Sequence, residues 1–359
     1  AQREVIHMIL DSGAEVNSQD NDGATSLHYA AYRGYLQVGK VLLSVEGCHR
    51  RLRDHEGQGV HHWAARRGQT AFSVYLLQTY PDDLQLNSLD DHAHTPLHVA
   101  AKGGYTETVR AFLQLGAEVD VQQSGRRSTS QDTPLFEALR NGHESAATLL
   151  LEAKADPTYI NGLGQTALHA ACTLSGMPNM LKKLIGLGVD VATTLQDGTT
   201  ALHVLCCRCN NPDFVRILLE AGPPDFVNYK DIDNMTALHF ASTYSADEVL
   251  QILIDHKADV NAQNEDGLTP LHFACRNHDR MSISRLLYNG ADPSIKASSY
   301  AASGMANMCA LDLANSDPNI MQLFTEDLAN QVLMSGDFRQ LSFSSPRYIQ
   351  RKLALSPDL

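Results

Sequence analysis

One seven-residue stretch returns along the chain at a near-constant interval. Thr95-Pro96-Leu97-His98-Val99-Ala100-Ala101 is echoed by Thr25-Ser26-Leu27-His28-Tyr29-Ala30-Ala31 and by Thr166-Ala167-Leu168-His169-Ala170-Ala171-Cys172. Shorter echoes start at Thr200, Thr236 and Thr269, and degenerate ones at Gly59, Thr133 and Cys309. Successive copies are 34, 36, 38, 33, 34, 36, 33 and 40 residues apart. Length alone, 359 residues, would suggest two or three independent domains at roughly 100–200 residues each. A period near 33 instead predicts stacked units, each too small to bury its own apolar faces.

Each position of the motif has a physical task. Thr is a good N-cap, and Pro after it suits the first helical turn, where its missing N–H costs nothing. Leu and the Ala pair face inward, and Ala lets neighbouring helices approach closely. A second helix follows, with apolar spacing such as Val215, Leu218, Leu219 or Val249, Ile252, Leu253. Gly13, Gly116, Gly188, Gly222 and Gly290 are expected to stop it in the left-handed conformation. Turn-rich tips such as Asp20-Asn21-Asp22-Gly23 and Asn264-Glu265-Asp266-Gly267 then reverse the chain.

The T-P-L-H-x-A-A motif, with trailing segments such as Gly13-Ala14-Glu15-Val16-Asn17 and Lys257-Ala258-Asp259-Val260-Asn261, resembles the ankyrin repeat family over residues 1–336. The resemblance implies an all-α solenoid of helix–turn–helix units with β-hairpin tips, curved around a concave groove. A partial repeat would occupy 1–19, with repeats starting near 20, 54, 90, 128, 161, 195, 231, 264 and 304, and a tail at 337–359. It also gives the motif histidines (28, 62, 98, 169, 203, 239 and 272) a role in hydrogen bonding backbone between units. Leu253 to Asn261 reads L-x5-D-V-N, which looks like the recognition pattern of asparaginyl hydroxylase, so Asn261 is a modification candidate; the same Asn also serves the turn.

Composition narrows the function. A net charge of −13 argues against a nucleic-acid binder, and no apolar run reaches the length of a membrane span. Seven unevenly spread cysteines and no signal peptide indicate a reducing, cytoplasmic or nuclear setting. Cys206 and Cys209 form C-x-x-C, but zinc needs four ligands and no second pair exists. No phosphate-binding loop, metalloprotease or hydrolase motif occurs. The chain is therefore expected to be no enzyme, to hold no cofactor or metal, and to be monomeric.

A partner would contact the hairpin tips and the two residues after the Ala pair. That column holds Tyr32, Arg33, Arg66, Arg67, Lys102, Arg140, Arg208, Tyr244 and Arg276, with His55, His92 and His94 on the tips beside it. It is basic in an acidic protein, so the expected partner is a protein or peptide with acidic and apolar residues. Helix carboxyl ends also attract cations through their partial negative charge, so the column has two readings. Trp63 likewise fits an interface anchor or partial burial.

Three functions follow: a non-catalytic binding scaffold, a substrate receptor of a ubiquitin ligase, or the regulatory segment of a larger enzyme or channel. The second rests on Ser345-Pro346-Arg347-Tyr348-Ile349-Gln350-Arg351-Lys352-Leu353, which resembles the start of a SOCS box but has Leu353 where a Cys is expected. The third rests on the opening residues Val5, Ile6, Ile9 and Leu10, which read as a second helix without its first and suggest a chain cut from a longer one. Polar or small-residue insertions at 79–93, 122–132 and 296–308 are the loops where function or mere tolerance would show.

Overall fold

A computed structural model describes residues 2–122, 130–174, 177–208, 211–301, 304–314 and 317–325. Most of the 122–132 insertion, Cys209, part of the 296–308 insertion and the whole 337–359 tail lie outside the described residues. The chain divides into two compact units, Ala1–Asp190 and Val191–Leu359.

The first unit opens with α1 (Gln2–Asp11). Five helix pairs follow: α2 (Ser26–Arg33) with α3 (Leu36–Leu43), α4 (Val60–Arg66) with α5 (Thr70–Thr79), α6 (Pro96–Lys102) with α7 (Thr106–Gln114), α8 (Pro134–Arg140) with α9 (Glu144–Glu152), and α10 (Ala167–Ala171) with α11 (Pro178–Gly186). The second unit repeats the plan with α12 (Ala201–Arg208) and α13 (Pro212–Ala221), α14 (Ala237–Thr243) and α15 (Asp247–Asp255), α16 (Pro270–Arg276) and α17 (Arg280–Tyr288), then α18 (Ala310–Ala314) and a helical stretch at 318–325. In each unit first helices pack on first helices and second on second, as in α2·α4, α4·α6 and α5·α7, or α12·α14, α14·α16 and α13·α15. Among the described residues there is no sheet, only three isolated antiparallel bridges, Arg53↔Gly59, Thr194↔Thr200 and Lys296↔Cys309. The expected all-α repeat architecture is what forms.

A Thr–His pair explains where six of the described first helices start. Thr269 is extended (φ −96°, ψ 165°), and its backbone N–H donates to His272 Nδ1 at 3.1 Å while its hydroxyl lies 2.8 Å from the same atom. The same geometry recurs at Thr25, Thr95, Thr166, Thr200 and Thr236. An Nδ1 that accepts a backbone N–H carries no proton, so the neutral ring has its hydrogen on Nε2. That Nε2–H donates into the following repeat: His98 to Asp132 O, His239 to Leu268 O and His272 to Met308 O, at 3.2, 3.1 and 3.3 Å. Burial outweighs these Nε2–H bonds to carbonyls and pushes His62, His98 and His239 down to about 4, so their imidazoles stay neutral.

A second clamp sits at the end of three of the described repeats. Asn17, Asn228 and Asn261 donate through Nδ2 to Gly47 O, Lys257 O and Gly290 O at 2.7, 3.2 and 3.2 Å. Their Oδ1 atoms accept the backbone N–H of His49, Asp259 and Asp292 at 2.8, 2.8 and 2.7 Å.

Gly13, Gly116, Gly188 and Gly290 take the expected left-handed stop, at φ between 86° and 96°. Gly222 does not: it is extended, at φ −83° and ψ 166°. The residue before a proline is forced towards β, and Pro223 follows it. The chain turns instead through a short 3-10 segment, Phe226–Asn228, whose Phe226 ring fills the space beside Gly222. Lys154 and Lys257 hold the left-handed stop in repeats that lack the glycine, at φ 69° and 68°.

Candidate functional site

The hairpin tips place the polar groups. In most of them a leading Asp or Asn accepts two backbone N–H groups, as those of Glu56 and Gln58 at Asp54 Oδ1 and of His92 and His94 at Asp90 Oδ1. Neighbouring tips join through backbone bonds such as His55 N to Asp22 O and Asp91 N to Glu56 O, both 2.9 Å. The close approach requires a residue without a side chain at Gly57 (φ +73°), where a Cβ would sit 2.4 Å from Asp91 Oδ1.

The second carboxylate oxygen of each Asp is then free for side chains. Asp20 Oδ2 accepts Tyr29 OH at 2.6 Å, and Asp54 Oδ2 accepts Trp63 Nε1 at 2.7 Å. Trp63 is half-buried, with Tyr29 and Tyr32 edge-on at 5.5 and 5.8 Å, and the Arg67 guanidinium lies 5.1 Å over the Tyr32 ring. Partial burial and aromatic clustering therefore coexist there.

Asp90 Oδ2 accepts Gln58 Nε2 at 3.0 Å and lies 3.5 Å from His94 Nδ1. His94 Nε2 lies 3.7 Å from Glu137 Oε1, and Glu137 Oε2 lies 3.9 Å from Lys102 Nζ. Asp90 and Glu137 are buried. Burial alone would push His94 down, but hydrogen bonding to Asp90 and Glu137 and their charges lift it to about 9. Burial likewise favours neutral Asp90, yet His94 and Gln58 hold its carboxyl below the usual range.

Glu56, Gln58, Arg66, His92, His94, Val99 and Lys102 line a cleft of about 460 Å³. Gln58 is 4% exposed, and its Oε1 has no hydrogen-bond partner. The Asp90 carboxylate can only accept, which fixes the amide with nitrogen towards Asp90 and oxygen spare.

The basic column is largely neutralised by its own hairpins. Arg66 pairs with Glu56 at 3.5 Å, and Arg140 with Asp132 at 3.2 Å and Gln165 at 2.7 Å. Arg33, on the same helix ends, lies apart from these pairs and lines a different groove with Ile6, Ile9, Tyr29 and Tyr35. His55 is exposed on its tip. In the second unit, Arg208 lies beside Tyr244, whose phenol is raised by a hydrogen bond with Cys207, and Arg276 stacks 5.1 Å from the Phe273 ring.

Sequence reading missed the acids Asp90, Asp132 and Glu137. One signal was available. Glu137 follows the motif His position, where other copies carry Tyr29, Val99, Ala170 or Phe240. A carboxylate in that aromatic or apolar column demands a partner.

No group of metal-ligating side chains occurs among the described residues, and none of their helices is long and apolar enough to cross a membrane. Cys206 is 2% exposed, and burial pushes its thiol well up, as it does that of Cys275. Asn261 occupies one of the inter-repeat clamps.

A family model described as ankyrin repeats (3 copies) matches in overlapping registers over residues 1–86, 27–123, 74–161, 122–194, 168–264 and 227–297. The E3 ubiquitin-protein ligase KEG of Arabidopsis thaliana is 27% identical over 76% of this chain and 17% of its own length. The nuclear factor NF-kappa-B p105 subunit of Gallus gallus is 28% identical over 92% of this chain and 32% of its own. The chain thus spans under a third of either relative. Among solved structures, the human ASB11 ankyrin repeat domain superposes with a TM-score of 0.57 at 25% identity, covering 66% of this chain and 99% of that domain.

Proposed function

Because the chain belongs to the ankyrin repeat family, whose repeats mediate protein–protein interaction, we propose that it is a non-catalytic scaffold that holds a protein partner against its hairpin and first-helix face. In the first unit the contact centres on the cleft between the second and third hairpins. One observation carries this: a cleft of about 460 Å³ is rimmed by mixed, pre-positioned charges, those of Glu56, Arg66, His94 and Lys102. Arg66, Lys102 and the protonated His94 orient an acidic side chain there, while Glu56 selects against a purely anionic one.

The test is affinity capture of partners by the intact protein, comparing wild type with Arg66→Glu/Lys102→Glu and with Lys182→Glu/Lys183→Glu on α11, the fold of each variant checked by circular dichroism and a urea melt. Loss of the same partner from the hairpin-face variant alone supports the reading; equal loss from both refutes it. Hydroxylation of Asn261 remains part of the proposal, read as a one-oxygen mass increase on the peptide that carries it.

A second reading is favoured by the relatives of which this chain spans only a minor share, the ligase KEG among them. In it the array is the recognition segment of a larger protein. The same face would then choose the substrate or partner on which the rest of that protein acts.

A further inference from the structure

The second unit carries its own cavity, of about 450 Å³, and its chemistry differs from that of the first. Its floor is apolar, built from Met235, Phe240, Leu268 and Phe273. Met235 and Phe240 remain partly exposed, and Ile232 and Tyr244 nearby are 70% and 54% exposed. Four carboxylates rim it, those of Asp231, Asp233, Glu265 and Asp266, against one cation, Arg276. Arg276 lies over the Phe273 ring.

The column substitutions explain the difference. The residue before the motif start is Ala24, Gln58, His94, Asp132 and Gln165 in the first unit but Met235 and Leu268 at this cavity. The residue after the motif His position is Tyr29, Trp63, Val99, Glu137 and Ala170 there but Phe240 and Phe273 here. The effect on Asp231 is specific. In the first unit Tyr29, Trp63 or Gln58 donates to the second oxygen of the leading Asp. Asp231 Oδ1 performs the same turn duty, accepting the N–H of Asp233 and of Met235 at 3.0 and 2.7 Å. Phe240, however, stands nine residues on, where Tyr29 and Trp63 supply the donor, and has no N–H or O–H to offer Oδ2. Burial, together with Asp233 and Asp197, raises the proton affinity of Asp231 despite those backbone bonds.

We infer that this cavity binds a basic peptide segment of a partner protein, with an apolar side chain on Met235 and Phe240 and flanking Lys or Arg on Asp231, Asp233 and Glu265. The inference deepens the interaction reading and rests on it. It also departs, for this unit, from the acidic partner that the basic column suggested. Carboxylates on the rim steer and select cations, and the apolar floor supplies the buried contact. The same rim repels nucleic acid and anionic lipid.

The test is selection of random twelve-residue peptides displayed on phage against the full chain, followed by fluorescence-anisotropy titration of the enriched peptides. Three variants are compared with wild type. Asp231→Asn keeps the turn acceptor, as Asn161 and Asn264 do at the equivalent positions. Asp233→Lys/Glu265→Lys changes two exposed tips, and Arg66→Glu/Lys102→Glu changes the first unit. Circular dichroism confirms the fold of each. Peptides with Lys or Arg beside Leu, Met or Phe are expected. Binding should weaken about threefold or more in Asp231→Asn and tenfold or more in the double tip variant. The first-unit variant should bind as wild type, and affinity should fall with added salt. Enrichment of acidic or uncharged peptides, no enrichment, or affinity unchanged in both second-unit variants overturns the proposal. Peptides lost only on first-unit reversal overturn it while leaving the interaction reading intact. Peptides indifferent to reversal on both faces remove both.

Discussion

Replacing His94 with Gln tests whether a charged imidazole holds the third hairpin of the first unit to α8. His94 has 18% of its side chain exposed, with carboxylates 3.5 and 3.7 Å away on opposite sides. A histidine held at about 9 in the folded protein against its ordinary 6.5 contributes about 3 kcal/mol to folding, to order of magnitude. The lowered carboxyl of Asp90 reports the same pairing and is not counted again. Because the folded value is the higher one, the contribution is fully present below pH 6.5 and disappears as pH rises through 9. The variant should therefore lose about 2–3 kcal/mol at pH 6.5 and almost nothing near pH 9.5. Urea melts followed by circular dichroism at intervals over that range measure the difference between the two proteins, which cancels every other titrating group. Two units can unfold in two steps, so the transition of the first unit is the one compared. A proton-resonance titration of the His94 ring gives its midpoint directly. A midpoint below pH 7, or a wild-type minus variant difference that does not change between pH 6.5 and 9, would refute the ion-pair account.

Three further outcomes are expected. Acid should weaken the protein from the other direction: His62, His98 and His239 are held at about 4, so stability falls as pH drops from 6.5 through 4, and a flat melt profile across that window would contradict the buried neutral tautomer. Thr269→Ala removes the hydroxyl beside His272 Nδ1 and should cost about 1 kcal/mol in a chemical melt; no measurable loss would deny the cap. Asn261→Ala breaks the bonds to Gly290 O and Asp292 N and should cost about 1–3 kcal/mol, whereas a surface-like effect near zero would mean that the clamp carries no load.

Most of the fold was legible because each motif residue does its work within one turn of its own chain. Thr and His, three residues apart, together cap the start of a helix, the Ala pair sets helix approach, and the terminal Asn reaches one repeat onward at a fixed register. Gly222 was misread where a local rule of higher rank intervened, since Pro223 dictates its backbone. The polar site was less legible for a different reason. Its pairs join different columns of different repeats, so Glu137 and His94, 43 residues apart in sequence, meet only once the stack is formed. The hairpin acids were taken as turn residues, and so they are, but through one oxygen only. Asp20, Asp54 and Asp90 cap their turns with Oδ1 and bind a side chain with Oδ2.

That division of labour also explains why a column of cations does not make a basic surface. In the first unit Arg66, Lys102 and Arg140 lie against Glu56, Glu137 and Asp132, so reversing one of them both repels an acidic ligand and strands a carboxylate. Where the paired acid is buried, as Glu137 and Asp132 are, the second effect is the larger, because an unpaired buried charge is costly. Exposed pairs contribute little to stability, so Arg66 and Glu56 can change with only small effect on the fold. Binding studies on this face are therefore cleanest at Arg66, and a loss of binding after substitution of Arg140 needs a stability measurement beside it before it is assigned to the interface.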